Sequence, residues 1–116
     1  MWFGNSEKIW LYNHAVDFRK QIDGLVILVA GQLKADPTSG QIFLFRNRSR
    51  NKIKILWWDS NGFWLIYKRL EKGRFCFPKA GEEIWTLTKE ELTWLLSGLD
   101  FTNQKQLPKV TASKFF

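Results

Sequence analysis

Arg46, Arg48 and Arg50 alternate through a short polar stretch, Asn47-Arg48-Ser49-Arg50-Asn51, and Lys52 and Lys54 continue the same spacing beyond it. Residues two apart on an extended ribbon share a face, so these five cations are expected along one side of a hairpin near its tip. Arginine grips phosphate or donates two hydrogen bonds to guanine, and a two-stranded ribbon fits the major groove of B-DNA. Lys68, Arg69, Lys72 and Arg74 form a second cluster shortly afterwards. The window 46–79 holds ten of the eighteen basic residues against Asp59 and Glu71, a formal +8, while the rest of the chain sums to −1. Trp57, Trp58, Phe63, Trp64, Tyr67, Phe75 and Phe77 are interleaved with this charge. Basic, aromatic-rich β structure of this kind suits a polyanion, and nucleic acid is the commonest one. The plainer reading is a basic hairpin whose charge only keeps sheet edges apart.

Catalytic constellations are sparse. His14, the single histidine, has no partner identifiable from sequence and reads as a solvated loop residue. Cys76 stands alone in Phe75-Cys76-Phe77, which excludes an internal disulfide and a zinc site of several thiolates. A two-metal nuclease would need converging carboxylates. Asp17, Asp36, Asp59, Glu90 and Glu91 have local roles at caps and turns, leaving Asp23 and exposed-looking Glu71, Glu82 and Glu83. No glycine-rich phosphate loop occurs. The chain therefore reads as a non-enzyme without cofactor or metal. A small nuclease is the minor alternative, which would lose cleavage on changing Asp23 or Asp59.

The elements that would hold the cations follow from periodicity. Lys8–Tyr12 reads as a first strand. Phe18, Ile22, Leu25, Val29 and Leu33 mark one face of a helix, with Asp17 as N-cap and an end near Leu33, before Asp36-Pro37. Gly24 within it suggests a close approach to a sheet. A period of two then gives strands at 41–46, 52–58 and 63–69, joined by the loop 47–51 and an Asn61-Gly62 hairpin turn expected to supply positive φ. Lys52, Lys54, Leu56 and Trp58 share one face of the second of these strands, so Trp58 is a candidate exposed ring beside the cations. Arg74–Phe77 is expected to begin a fourth strand, and Ile84–Leu87 adds a short one. Thr88-Lys89-Glu90-Glu91 is a capping box ahead of a helix carrying Leu92, Leu95, Leu96 and Leu99, with Gly98 near its C-cap. In a regular meander the loop 47–51 and the turn 71–73 fall at the same end, merging their charges into one rim.

The expected fold is α+β: an antiparallel meander of about four to six strands, with an N-terminal and a C-terminal helix packed on one face. At 116 residues one domain is expected, spanning 1–101, with 102–116 as a loose basic tail. The start lacks an export signal, and Leu25–Ala30, the longest strongly apolar stretch, is too short to span a bilayer. A soluble cytoplasmic protein without a membrane partner is expected.

Three blocks of the chain are similar to a known family. Val16-Asp17-Phe18-Arg19-Lys20 followed by Ile22-Asp23-Gly24-Leu25, the long block Gly40–Pro78, and Leu87–Asp100 resemble the TnpB (Orf2-like) accessory proteins of insertion sequences of the sixty-six type. Those proteins are unrelated to the RNA-guided nuclease of the same name. The resemblance covers roughly Lys8–Phe101; it departs at Ser60-Asn61, where Gly-Asp is usual, and at Cys76-Phe77, where Val-Trp is commoner. It implies a bacterial protein encoded beside a separate transposase and needed for efficient transposition, without being the strand-transfer enzyme. It assigns no active residues, so the role of the basic clusters rests on their chemistry. Two readings follow: a DNA-binding accessory factor acting at the element's ends, and a module that docks on the transposase with little DNA contact.

Overall fold

In the computed structural model, residues 8–79 and 81–102 are described. Ile42 to Phe45 are all buried, which for a strand requires cover on both faces. This strand, β2 (Ile42–Arg46), accordingly lies in the middle of a five-stranded sheet. The others are β1 (Ile9–Ala15), β3 (Lys52–Asp59), β4 (Gly62–Arg69) and β5 (Ile84–Leu87), in the order β4-β3-β2-β1-β5. Helix α1 (Ile22–Gly31) connects β1 to β2, and α2 (Lys89–Leu96) follows β5.

The sheet is mixed, not a pure antiparallel meander. β1 pairs parallel with β2, whereas β2–β3, β3–β4 and β1–β5 are antiparallel. The physical reason is the crossover: a helix between two strands returns the chain to the same end of the sheet, so the strands it joins run in one direction. The helices also pack on opposite faces, not on one. Leu25, Val29 and Leu33 bury against Tyr12, Phe43, Phe45 and Leu56. Leu92 and Leu95 bury against Leu11, Ile42, Leu44, Ile53 and Ile55 on the other side. Alternate residues of β2 and β3 thus supply two cores, which a one-sided packing would have left wet.

Local corrections follow from the same packing. Helix α1 begins at Ile22 with Gln21 in the N-cap position, and Asp17 does not cap it. Asp17 instead accepts from the Arg19 backbone N–H at 2.9 Å and from its guanidinium at 2.6 Å. A Cβ on Gly24 would meet the Lys20 side chain at 3.1 Å, so the glycine accommodates Lys20 and not the sheet. At the β3–β4 hairpin the positive φ falls on Ser60 (54°), not on Asn61 or Gly62. Arg74–Phe77 is not a strand: Phe75 and Phe77 insert into the α2-side core, and the Phe75 N–H bonds to the Arg50 carbonyl at 2.8 Å. Thr88 and Glu91 form both bonds of the capping box, and Gly98 takes φ 84° just beyond α2, in the left-handed geometry expected at a helix end. Leu99 lies past the helix and is largely exposed. Of the tail expected over 102–116, all but Thr102 lies outside the described residues.

Candidate nucleic-acid interface

The loop between β2 and β3 is built around one side chain. Asn47 Oδ1 accepts from the N–H groups of Asn51 and Lys52, both at 3.1 Å, and Asn47 Nδ2 donates to Asn51 Oδ1 at 2.7 Å. The Arg50 N–H returns to the Asn47 carbonyl, with Arg50 held at φ 61°. A short side-chain amide substitutes here for missing ladder bonds, as Asn does in tight turns. The loop is therefore shaped by its own bonds, with Arg48 and Ser49 exposed at its tip.

A second segment is fastened to this loop. The Leu70 N–H donates to the Asn51 carbonyl and the Phe75 N–H to the Arg50 carbonyl, each at 2.8 Å. These bonds bring the 70–75 segment, with Lys72 and Arg74 exposed on it, against the loop that carries Arg48 and Arg50. The two connections thus share one end of the sheet. Beneath them Lys52 and Arg69 sit directly opposite each other in the β3–β4 register, a like-charge pairing that disfavours the bare sheet. Arg69 leans away to Glu71, with which it pairs at 2.9 Å. Among the described residues, no ion pair joins Arg48, Arg50, Lys52, Lys72 or Arg74 to a carboxylate.

Three of the nine expected residues are placed differently. Lys54 is 2% exposed; its ammonium donates to the carbonyls of Phe18 and Lys20, both at 2.8 Å, over the rings of Phe18 and Tyr67. It shares a face with Lys52 as expected, but that face is covered by the β1–α1 connection, so Lys54 does not belong to the exposed set. Burial, reinforced by the nearby charge of Lys52, pushes its pKa down against the opposing pull of Asp17. Arg46 is half-buried: it donates to Asn13 Oδ1 at 2.8 Å and the Asn47 carbonyl at 3.1 Å, over Phe77. Burial and then the charge of Arg50 lower its pKa, and it braces β1 to the loop. Lys68 is exposed on the α2 side and donates to the Leu96 carbonyl at 2.7 Å, where a cation complements the C-terminal end of the helix. The remaining six, Arg48, Arg50, Lys52, Arg69, Lys72 and Arg74, lie on the loop, on the segment bonded to it and at the strand ends beneath them.

Trp58 is half-buried and packs edge-on against Phe63, with centroids 4.9 Å apart, so it is not an open stacking platform. Sequence reasoning missed Lys20, which is exposed next to the carbonyl that holds Lys54. Placing Phe18 to Lys20 inside a helix hid it, and no local sequence signal marked it. His14 ends up on β1, exposed, with Nδ1 3.8 Å from Glu83. No group of three His, Cys, Asp or Glu side chains converges among the described residues, and none of the described helices is long and apolar enough to cross a membrane.

Residues 7–106 match the family described as IS66 Orf2 like protein. Two curated relatives come from Sinorhizobium fredii (strain NBRC 101917 / NGR234). Uncharacterized protein y4jC is 39% identical over 101 residues, covering 87% of this chain and 86% of its own length. Uncharacterized protein y4hO is 33% identical over 103 residues, covering 89% and 90%. No solved structure matches.

Proposed function

The chain belongs to the IS66 Orf2-like family, whose association is with transposition, and from that premise we propose that it is a non-catalytic accessory factor that binds DNA through its basic rim. The observation that carries the reading is the cluster of Arg48, Arg50, Lys52, Lys72 and Arg74, which face solvent or its margin with no carboxylate partner among the described residues. Two segments some twenty residues apart in the chain are fastened side by side by backbone bonds, and Lys52 opposes Arg69. Phosphate oxygens between these groups would relieve their mutual repulsion. The contacts are of the backbone-positioning kind, and sequence reading is assigned to none of them. The duplex at the element's ends is the intended ligand, and a separate transposase is the enzyme it serves. A gel shift with labelled duplex tests this: alanine at Lys72 and Arg74 should weaken binding uniformly across sequences. Failure of the native protein to retain any duplex at low salt refutes the reading.

A second reading, docking on the transposase, is favoured by one specific observation. Helix α1 has Asp23 as its single charged residue, and Ile27 on its outer side is 71% exposed. An apolar residue so placed is a candidate contact for a protein partner.

A further inference from the structure

Strand β4 is the last strand on its side of the sheet, eight residues long, and among the described residues nothing pairs with its outer edge. The Leu70 N–H points inward to the Asn51 carbonyl. By antiparallel alternation the even-numbered residues bond to β3, and Phe63, Leu65, Tyr67 and Arg69 direct their N–H and C=O groups outward. Such an edge is a template for another strand unless it is blocked by a bulge, a proline or charge; in β4 only Lys68 and Arg69, at one end, are charged. The β3–β4 register runs without a break and β4 contains no proline.

We propose that this edge pairs with β4 of a second copy of the chain, antiparallel about a twofold axis at Ile66. Charge complementarity along the strand favours this arrangement. β4 starts beside Asp59 in the hairpin and ends in Lys68-Arg69, so an antiparallel arrangement sets each basic end against the other copy's acidic, aromatic end. With the axis at Ile66, Trp64 lies opposite Lys68 of the second copy, Phe63 opposite its Arg69, and Leu65 opposite its Tyr67. Trp64 is 49% exposed, and a cation set against its ring is a favourable neighbour. Trp64 keeps its indole bond to Asp59, and Lys68 its bond to Leu96. The two Lys68 residues are separated by four strand positions, about 14 Å, beyond the screening length of roughly 8 Å at physiological salt. A parallel arrangement would instead stack Lys68 and Arg69 on their own copies. About eight main-chain hydrogen bonds form in the antiparallel case, and the interface is isologous and closed. The dimer would carry a basic rim at each end of the shared strand pair.

Proline at position 67 removes an outward N–H while leaving the β3 ladder intact, a setting in which an edge strand tolerates it. The full chain is examined by light scattering after size exclusion through the micromolar range, together with Tyr67→Pro and Tyr67→Thr. Native protein and Tyr67→Thr are expected at twice 13.8 kDa, and Tyr67→Pro at the monomer mass with an unchanged circular dichroism spectrum. Amide exchange on the native protein provides a readout independent of the variants. The N–H groups of Phe63, Leu65, Tyr67 and Arg69 should be protected wherever the mass is that of the dimer and should lose protection on dilution to the monomer. A monomeric native protein, a dimeric Tyr67→Pro, or edge amides still protected at dilutions where the mass is that of the monomer overturns the proposal, the last by assigning the edge to the chain's own residues.

Discussion

Replacing Lys54 with methionine separates packing from binding. The substitution keeps most of the aliphatic stem and deletes the ammonium that donates to the Phe18 and Lys20 carbonyls at 2.8 Å. Two charge-assisted bonds contribute together about 3–6 kcal/mol. Against this stands the relief of desolvating a cation, itself several kcal/mol, which the pKa lowered by burial registers. The surplus is a net loss of about 2–3 kcal/mol for Lys54→Met, and about 3–5 kcal/mol for Lys54→Ala, which also removes the buried stem. At this chain length, with an unfolding entropy of about 2.1 cal/mol/K per residue, about 2 kcal/mol lowers Tm by roughly 8 °C. Urea unfolding followed by tryptophan fluorescence measures the difference. A methionine variant within about 0.5 kcal/mol of the native protein would refute the assignment of Lys54 as a clamp on the β1–α1 connection. A folded Lys54→Met protein with reduced salt sensitivity of DNA binding would return Lys54 to the interface.

Two further outcomes are expected. Asp17 is held at a pKa of about 2, below its ordinary 3.8, chiefly by bonds from the Arg19 side chain and backbone. A depressed carboxylate stabilises above its unfolded pKa and loses that contribution as pH falls through the folded one. Acid titration of stability should therefore be steeper for native protein than for Asp17→Asn between pH 3.8 and about 2; parallel curves would contradict this. Ile27→Lys alters a residue that is 71% exposed, so its stability should stay within about 0.5 kcal/mol of native. Loss of nuclease-resistant capture by the transposase, with DNA retention unchanged, would support the docking reading, and unaltered capture would remove α1 from it.

The strands and the capping box were legible because they are local. Alternation in 41–46, 52–58 and 63–69 anticipates β2, β3 and β4 within a residue or two, and Thr88 with Glu91 marks the start of α2. The parallel pairing of β1 with β2 was not legible from strand patterns, since it depends on where α1 returns the chain. The two-sided packing was written more openly. Ile42-Phe43-Leu44-Phe45 is apolar at both parities, the mark of a strand covered twice. The candidate rim was legible in its loop residues and misleading at Lys54. Parity places Lys52 and Lys54 on one face, yet only the tertiary position of Phe18 and Lys20 decides that Lys54 is covered and Lys52 is partly open. The same non-local closure turned Arg46 into a brace through Asn13, thirty-three residues away.

Salt dependence of duplex binding tests the rim most directly. Fluorescence anisotropy of a labelled duplex, repeated across ionic strengths, yields the slope of log K against log salt, about −0.9 for each phosphate neutralised. The five rim cations without a carboxylate partner among the described residues correspond to a slope near −4.5, and Arg48→Ala with Arg50→Ala should reduce its magnitude by about 2. An unchanged slope in that double variant, or binding by the native protein that is insensitive to salt, would contradict the account.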